Sequence, residues 1–176
     1  MAEVSIRSAG EADAAAIARL HLASYRAAYD GLLPDAFLDA LDIRDRERRW
    51  RDGLRDRART TFVAEHPAGP VAALVAFAEV GPCREPQASP AVGELMALHV
   101  AARYWRRGVG GLVHGYAVRA LARQGFESAM LWVLRDNLRA RAFYVAAGWV
   151  PDGGERHRLL RGADVFEVRY SRVLGR

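Results

Sequence analysis

The residues best suited to chemistry begin in a basic, glycine-rich segment, HVAARYWRRGVGGLVHGYAVRAL (99–121). Residues 101–125 contain five arginines and no acidic residue. Glycine lets the backbone approach a ligand closely, and the first turn of a following helix has unpaired N–H groups. With the helix dipole and the side chains of Arg106 and Arg107, these groups predict an anion site, for which a pyrophosphate is the natural ligand. The alternatives are a glycine-rich helix start that only packs against a strand, and a dinucleotide fingerprint, which Val113 disfavours because that pattern needs glycine there.

The basic residues exclude several classes of enzyme. All 26 are arginine, and they give the 176-residue chain a net charge of +5 and a pI of about 10.0. Without lysine, the chain has neither the phosphate-binding lysine of a P-loop NTPase nor a Schiff-base residue for pyridoxal phosphate or aldolase chemistry. The single cysteine, Cys83, excludes an intramolecular disulfide, and the five histidines show no ligand spacing, so no metal is predicted. Nucleic acid is a candidate partner of any basic chain, but no helix-turn-helix, zinc-finger or aromatic-rich RNA motif supports it.

The periodicity of the apolar residues predicts the elements that must position this segment. Alternation indicates strands, and recurrence at i, i+3, i+4 and i+7 indicates helices. Strands are predicted at 4–7, 61–65, 71–80, 93–100, 128–134 and 164–170 and from 149 onward, a turn at 67–70, and helices at 11–28, 34–41, 43–57, 108–124 and 137–147. Helices and strands interleave without a linker, so the chain is predicted to form a single mixed α/β domain.

Two of these elements allow more specific expectations. In the strand at 93–100, the even positions Glu94, Met96, Leu98 and Val100 are expected to share one face. The segment 43–59 has eight arginines and four acids in alternation, which predicts a solvated helix with ion pairs between residues four apart. No apolar run reaches the ~18 residues that a membrane span needs, and the N-terminus lacks a signal-peptide pattern. We therefore expect a cytoplasmic protein.

Two motifs, in order along the chain, match one known family. Trp105-Arg106-Arg107-Gly108-Val109-Gly110 follows a strand, as does the family's Gln/Arg-x-x-Gly-x-Gly/Ala pattern, with Trp105 at its first position. Further on, a strand is followed by Asn137 and then by Phe143-Tyr144-x-x-x-Gly148-Trp149. With these two signatures the chain resembles the GCN5-related N-acetyltransferase (GNAT) family over about residues 61–170.

This resemblance implies a fold and an activity. The fold would be a mixed, mostly antiparallel sheet flanked by helices, in one N-acetyltransferase domain spanning 1–176. Its helices at about 11–57 would form the acceptor side, and about 61–170 would form the acetyl-CoA-binding core. The implied reaction is direct transfer of acetyl from acetyl-CoA, as cosubstrate, to a primary amine of a small molecule or peptide. The alternative is a non-catalytic regulatory domain that binds acyl-CoA, and a homodimer through the C-terminal strands is a further implication.

The reaction needs residues that move protons. The amine must lose a proton, the thioester carbonyl must be polarised, and the departing thiolate must be protonated. Tyr144 is the predicted general acid, because a phenol with a pKa of about 10 is protonated at neutral pH; the alternative is a core aromatic. Glu94 is the predicted general base, through water, as its spacing resembles that of histone-acetylating relatives; alternatively it pairs structurally with an arginine. His99 is a further candidate base, or a packed strand histidine.

The resemblance also assigns cofactor contacts by position. The backbone of residues 98–100 would polarise the carbonyl and meet the pantetheine arm. Asn137 would hydrogen-bond the pantetheine, or would simply cap its helix. The predicted cofactor-binding residues are Leu98, His99, Val100, Arg106, Arg107, Gly108, Val109, Gly110, Gly111, Asn137, Phe143 and Tyr144.

The helices after the first strand would wall the acceptor pocket. Tyr25, Tyr29 and Trp50 are the predicted substrate-binding residues, since aromatic rings stack on an acceptor or receive its amine by cation–π contact. Their alternative role is core packing against the sheet. The loop at 80–92, with Arg84 and Glu85, would form the opposite wall. Nothing in the sequence selects a particular amine.

Overall fold

The computed structural model describes residues 4–67 and 73–175. The helices are Ala14–Tyr29 (α1), Asp35–Asp39 (α2), Ile43–Arg55 (α3), Val109–Arg123 (α4) and Leu138–Ala146 (α5), with short 3-10 turns at Glu11–Asp13 and Ala102–Tyr104. The strands are Ser5–Ser8 (β1), Thr60–His66 (β2), Ala73–Pro82 (β3), Val92–Val100 (β4), Ser128–Leu134 (β5), Val150–Leu160 (β6) and Ala163–Val173 (β7). These bounds agree with the predicted elements to within a few residues. Apart from Pro67, the predicted turn at 67–70 and the first two residues of the strand predicted at 71–80 lie outside the described residues.

The strands form one mixed sheet in the order β1-β2-β3-β4-β5-β7-β6. All neighbours are antiparallel except β4 and β5, which are parallel. The α/β fold with a mixed, mostly antiparallel sheet is therefore confirmed. The parallel pair is short, because only Val92–Glu94 and Ser128–Met130 are in register. Beyond these residues the two strands separate and leave a cleft in the middle of the sheet.

Helices cover both faces of the sheet. On one face, α4 and α5 pack on the largest core cluster, whose fully buried members include Val113, Leu121, Leu131, Trp149 and Tyr170. On the other face, α1 and α3 cover a cluster with Ile17, Trp50 and Phe77, and α1 and α2 cover one with Leu22, Phe37 and Val165. Each large apolar side chain buried in this way stabilises the fold by about 1.5–3 kcal/mol. Among the described helices, none combines the length and the apolar character needed to traverse a lipid bilayer.

A β-bulge interrupts β4 and overturns one prediction about its faces. Leu95 pairs with Val80 of β3, and Ala97 pairs with Glu79, so Met96 is an extra residue without a direct partner. A bulge of this kind shifts the alternation of side chains by one position. The prediction that Glu94, Met96, Leu98 and Val100 share one face is therefore wrong.

The bulge decides which side chains of β4 meet each helical layer. Before it, Leu95 belongs to the cluster under α4 and α5, so its neighbour Glu94 points to the α1 and α3 side. After it, Leu98 packs against the α4 and α5 cluster, whereas His99 stacks on Phe77 of the opposite layer. Glu94 and His99 thus lie on the same face of the sheet, although one has an even and the other an odd number.

Candidate active site

The loop before α4 forms an open cradle of backbone N–H groups. Arg106 and Gly108 both have left-handed backbone, with φ of 58° and 82°. Among the described residues, no backbone carbonyl accepts from the N–H groups of 106–111. A Cβ atom placed on Gly108 or Gly111 would meet nothing within 4 Å. Unpaired N–H groups at a helix start next to left-handed residues make an anion-binding concavity, so this loop fits a diphosphate.

Trp105 and Arg139 brace this cradle. The indole N–H of Trp105 donates to the backbone oxygen of Val100 (2.8 Å), which ties the loop to the end of β4. The guanidinium carbon of Arg139, from α5, lies 3.4 Å from the centre of the Trp105 ring. Burial and the charge of Arg106 lower the pKa of Arg139, so two guanidinium groups are neighbours at the rim. The sequence analysis missed Arg139, because only the packing of α5 brings it to this loop.

Tyr144 lies in the cluster beneath the cleft with its hydroxyl uncommitted. The side chain is buried, with its ring 5.4 Å from Phe143, 6.3 Å from Trp149 and 6.5 Å from Tyr170. The hydroxyl has no hydrogen-bond partner in the described residues, and it is not a fully enclosed atom. Burial raises the pKa of Tyr144, so the phenol is protonated at neutral pH. It is therefore equipped to donate a proton to a group that enters the cleft.

Asn137 caps the start of α5. Its side-chain oxygen accepts from the N–H of Ala140 (3.1 Å), and the residue is buried. This is the capping interaction that stabilises a helix start by about 1 kcal/mol. The side-chain NH₂ group stays available, so the predicted contact with pantetheine stays a prediction.

Glu94 is held by Arg84 from the loop between β3 and β4. The carboxylate is 3% exposed and accepts from the backbone N–H of Arg84 (3.0 Å), from its Nε (3.0 Å) and from its Nη2. The Arg84 side chain is half exposed. Hydrogen bonds between charged groups are about twice as strong as those between neutral groups, so the pair of Arg84 and Glu94 fixes this loop against β4. The interpretation of Glu94 as a glutamate paired with an arginine has direct geometric support.

His99 differs from Glu94 in having a free nitrogen. Its Nδ1 lies 3.1 Å from the hydroxyl of Ser24, and that hydroxyl donates to the backbone oxygen of His21 (3.1 Å). In the tautomer in which the Ser24 proton goes to His21, Nδ1 of His99 carries its own hydrogen and Nε2 has the lone pair. Nε2 has no partner among the described residues and is not fully enclosed. Burial, together with the charge of Arg46, lowers the pKa of His99 to about 4, so the ring is neutral at pH 7.

The predicted acceptor residues fall into two groups. Tyr25 and Tyr29 meet edge to face with ring centres 4.2 Å apart, and Tyr25 stacks beside His99 at 6.0 Å. Trp50 instead lies in the core, where its N–H donates to Nδ1 of His21 (3.0 Å). Tyr25 and Tyr29 therefore share a cluster with His99, whereas Trp50 supports that cluster from behind. Burial raises the pKa of both tyrosines.

A polar group on β5, β6 and β7 extends this face of the sheet. The indole N–H of Trp132 donates to Glu85 (3.0 Å), and the guanidinium carbon of Arg156 lies 4.2 Å from the Trp132 ring centre. Arg156 also bonds Glu167 (2.7 Å), which pairs with Arg158 as well (2.8 Å). The sequence analysis predicted Glu85 on the pocket wall opposite the helices. It did not predict the contacts of Glu85 with Trp132 and Arg156, because these residues lie on strands far along the chain. Within residues 4–67 and 73–175, no three His, Cys, Asp or Glu side chains are placed to share a metal ion.

Comparisons with known proteins give the class of this arrangement. Residues 17–149 match the family model described as the acetyltransferase (GNAT) family. An uncharacterized N-acetyltransferase of Bacillus subtilis (strain 168), YuaI, is 30% identical over 134 residues, which are 76% of this chain and 73% of that protein.

Solved structures share the fold at low identity. The paiA N-acetyltransferase from Thermoplasma acidophilum, solved in complex with coenzyme A, matches with a TM-score of 0.74 and 16% identity over 97% of this chain and 99% of that one. The ribosomal-protein-S18-alanine N-acetyltransferase from Escherichia coli matches with a TM-score of 0.72 and 15% identity over 99% of this chain and 96% of that one.

The fold and the ordered motifs thus define an N-acetyltransferase. The chain belongs to the acetyltransferase (GNAT) family, as its resemblance predicted.

Proposed function

We propose that this protein transfers the acetyl group of acetyl-CoA directly to a primary amine of a small molecule or peptide. The observation that carries the proposal is the open cradle at 106–111 beside the cleft between β4 and β5, with the Tyr144 hydroxyl uncommitted in the cluster below. The coenzyme A bound to the Thermoplasma relative of the same fold supports the choice of cosubstrate.

The chain's own residues would hold acetyl-CoA along this cleft. The N–H groups of 106–111, with Arg106 and Arg107, would bind the diphosphate. The free backbone edge of β4 at 98–100 would bind the pantetheine arm and polarise the carbonyl oxygen, with Asn137 and Phe143 along its other side. A space of about 440 Å³ between α4 and α5, lined by Gly111 and Phe143, continues from the cradle. When bound, acetyl-CoA supplies the acetyl group as a thioester.

The proton transfers are assigned to groups on opposite sides of the cleft. A bond forms between the acceptor nitrogen and the acetyl carbon, and the bond from that carbon to sulfur breaks. Tyr144 would donate its proton to the sulfur. The amine proton needs an acceptor, for which Glu94 and His99 are the two candidates. Geometry favours Nε2 of His99, because Arg84 already occupies both oxygens of Glu94.

The remaining assignments stay predictions. Tyr25 and Tyr29 would form the acceptor wall within the helices at 11–57, and residues 61–170 would form the acetyl-CoA-binding core of a single domain. Homodimer formation and a cytoplasmic location also stay predictions.

Calorimetric titration with acetyl-CoA, followed by a thiol-release screen over an amine panel, tests the proposal. Micromolar binding and thiol release with one class of amine is the expected result. The Gly108→Val variant, which crowds the cradle, should weaken both signals. Failure of the wild-type protein to bind acetyl-CoA would refute the proposed function.

A further inference from the structure

Arg46 is the arginine of α3 that is partly buried, whereas Arg44 and the later arginines of the helix are exposed. Arg49 pairs with Asp45 (2.9 Å) and Arg51 with Glu47 (2.7 Å), four residues apart as the alternating charges predict. Arg48 pairs with Asp45 three residues away (2.7 Å), and Arg55 pairs with Glu11 outside the helix (2.9 Å). Arg46 is partly buried, and no carboxylate in the described residues lies within ion-pair distance of it. Its guanidinium donates no hydrogen bond to a described residue either. The nearby acid Asp45 already pairs with three other arginines, Arg48, Arg49 and Arg161.

Helix geometry explains why Arg46 points inward. It lies four residues before Trp50, so both occupy the same face of α3. Trp50 is buried against Phe77 and His21, which directs that face toward α1 and the sheet. The guanidinium carbon of Arg46 lies 5.9 Å from the centre of the Tyr25 ring. Burial lowers the pKa of Arg46, and a cation that is desolvated without a partner destabilises the fold.

The unpaired cation lies beside the cluster that would receive the acceptor amine. Tyr25 contacts Arg46 and also stacks beside His99. The charge of Arg46 contributes to the low pKa of His99 and His21, so it is close to both rings. The other charged groups near Tyr25 and Tyr29 are Glu167, Arg158 and Arg139. Glu167 pairs with Arg158 and Arg156, and Arg139 lies over the Trp105 ring at the cradle. Among the described residues, Arg46 is thus the cation without an ion pair whose charge acts on the His99 ring.

We propose that Arg46 binds an oxyanion of the acceptor, which is therefore a small amine that also carries a carboxylate or a phosphonate-type group. The amine would face Nε2 of His99, and the oxyanion would accept hydrogen bonds from the Arg46 guanidinium on the far side of Tyr25. A guanidinium offers two parallel N–H donors to such a group, which offsets the cost of keeping the cation partly buried. This inference rests on the proposed function, since it names the substrate class of the same site.

Matched acceptor pairs test the proposal. A series of ω-amino acids from glycine to 6-aminohexanoate is compared with alkylamines in which a methyl group replaces the carboxylate, and 3-aminopropylphosphonate tests the second oxyanion. In the wild-type protein, kcat/KM should favour the anionic member of at least one pair by about 10- to 100-fold, the range expected for hydrogen bonds to a charged group. Arg46→Met should abolish that preference, and Arg46→Lys should retain part of it. Arg44→Met, an exposed arginine two residues away, is the matched control and should change nothing.

Binding and stability provide readouts that do not depend on turnover. The same ω-amino acids should raise the Tm of the wild-type protein but not that of Arg46→Met. The Tm of Arg46→Met without ligand should equal or exceed that of the wild type, because an unpaired, partly buried charge is removed. Equal losses on anionic and neutral amines, or no Tm shift with any anionic amine, would overturn the proposal. If no amine is acetylated, the proposed function fails, and the Tm shifts alone decide whether Arg46 binds an oxyanion.

Discussion

Arg84 donates three hydrogen bonds to the carboxylate of Glu94, through its backbone N–H, its Nε and its Nη2. Glu94 is nearly inaccessible, whereas the Arg84 side chain is half exposed. To take a proton from an amine, Glu94 would have to give up hydrogen bonds worth about 1.5–3 kcal/mol each. We therefore expect Glu94 to position the loop between β3 and β4.

Glu94→Gln tests this positioning role. The amide keeps the size of the side chain but removes the charge, so we expect the free energy of unfolding to fall by about 1–3 kcal/mol. Urea unfolding measures this loss, and Arg84→Gln should show a comparable one because it breaks the same pair. The pH profile of kcat/KM should keep its shape in both variants. A loss of activity of about 100-fold or more in Glu94→Gln alone, greatest at low pH, would instead identify Glu94 as the base.

His99→Gln and His99→Ala test the second candidate base. We expect kcat/KM to fall by about 10²- to 10⁴-fold in both, as for the loss of a general base. Added imidazole should restore part of the activity of His99→Ala, because the missing group is a proton acceptor and not a packing element. Since the pKa of His99 is about 4, the ring stays neutral from pH 5 upward. The fall of kcat/KM at low pH should therefore reflect protonation of the acceptor amine. The pH at the midpoint of this fall should be the same in His99→Gln as in the wild type.

A matched control separates chemistry from packing at His99. Ser24→Ala leaves the imidazole in place but removes the partner of its Nδ1. It should lower kcat less than His99→Ala does and should not respond to imidazole. Full activity of His99→Gln would exclude the histidine as the base.

Tyr144→Phe should separate catalysis from binding. The lost hydroxyl has no partner in the described residues, so the Tm and the affinity for acetyl-CoA should stay close to wild type. Turnover should fall by about 10²- to 10⁴-fold, because the leaving sulfur loses its proton donor. The control is Tyr170→Phe, since that buried hydroxyl accepts from Nε of Arg141 (3.1 Å). Tyr170→Phe should lower the Tm and leave turnover unchanged, which is the opposite of the result expected for Tyr144→Phe. An unchanged kcat in Tyr144→Phe would exclude Tyr144 as the general acid.

The elements and the glycine cradle were predictable because their signals are local. Helical periodicity placed α4 within one residue at each end, and the glycines of the loop before it predicted an open backbone there. The bulge at Met96 was not predictable, because it exists only in the pairing of β4 with β3. That single residue decides that Glu94 and His99 lie on the same face of the sheet.

The contacts that define the acceptor side are long-range and left no pattern in the sequence. Ser24 and His99 are 75 residues apart, and their hydrogen bond depends on α1 crossing β4. The alternating charges of α3 make its arginines look equivalent, and only the orientation of the helix leaves Arg46 partly buried, with no carboxylate of the described chain in ion-pair contact. Trp50 was expected on a pocket wall, but the same orientation directs it into the core.

Gly108→Val and Gly125→Val test the cradle at equal backbone strain. Both glycines have left-handed φ, 82° and 90°, and neither has an atom within 4 Å of a Cβ, so valine should destabilise each position by at least about 1–2 kcal/mol. They lie at opposite ends of α4, roughly 25 Å apart at 1.5 Å per residue. Only Gly108→Val should weaken acetyl-CoA binding, by about 10-fold or more, since its side chain occupies the anion's place and disturbs the N–H groups that would bind it. Calorimetry at a temperature where both variants are folded measures the difference; equal affinities would show that the diphosphate binds elsewhere.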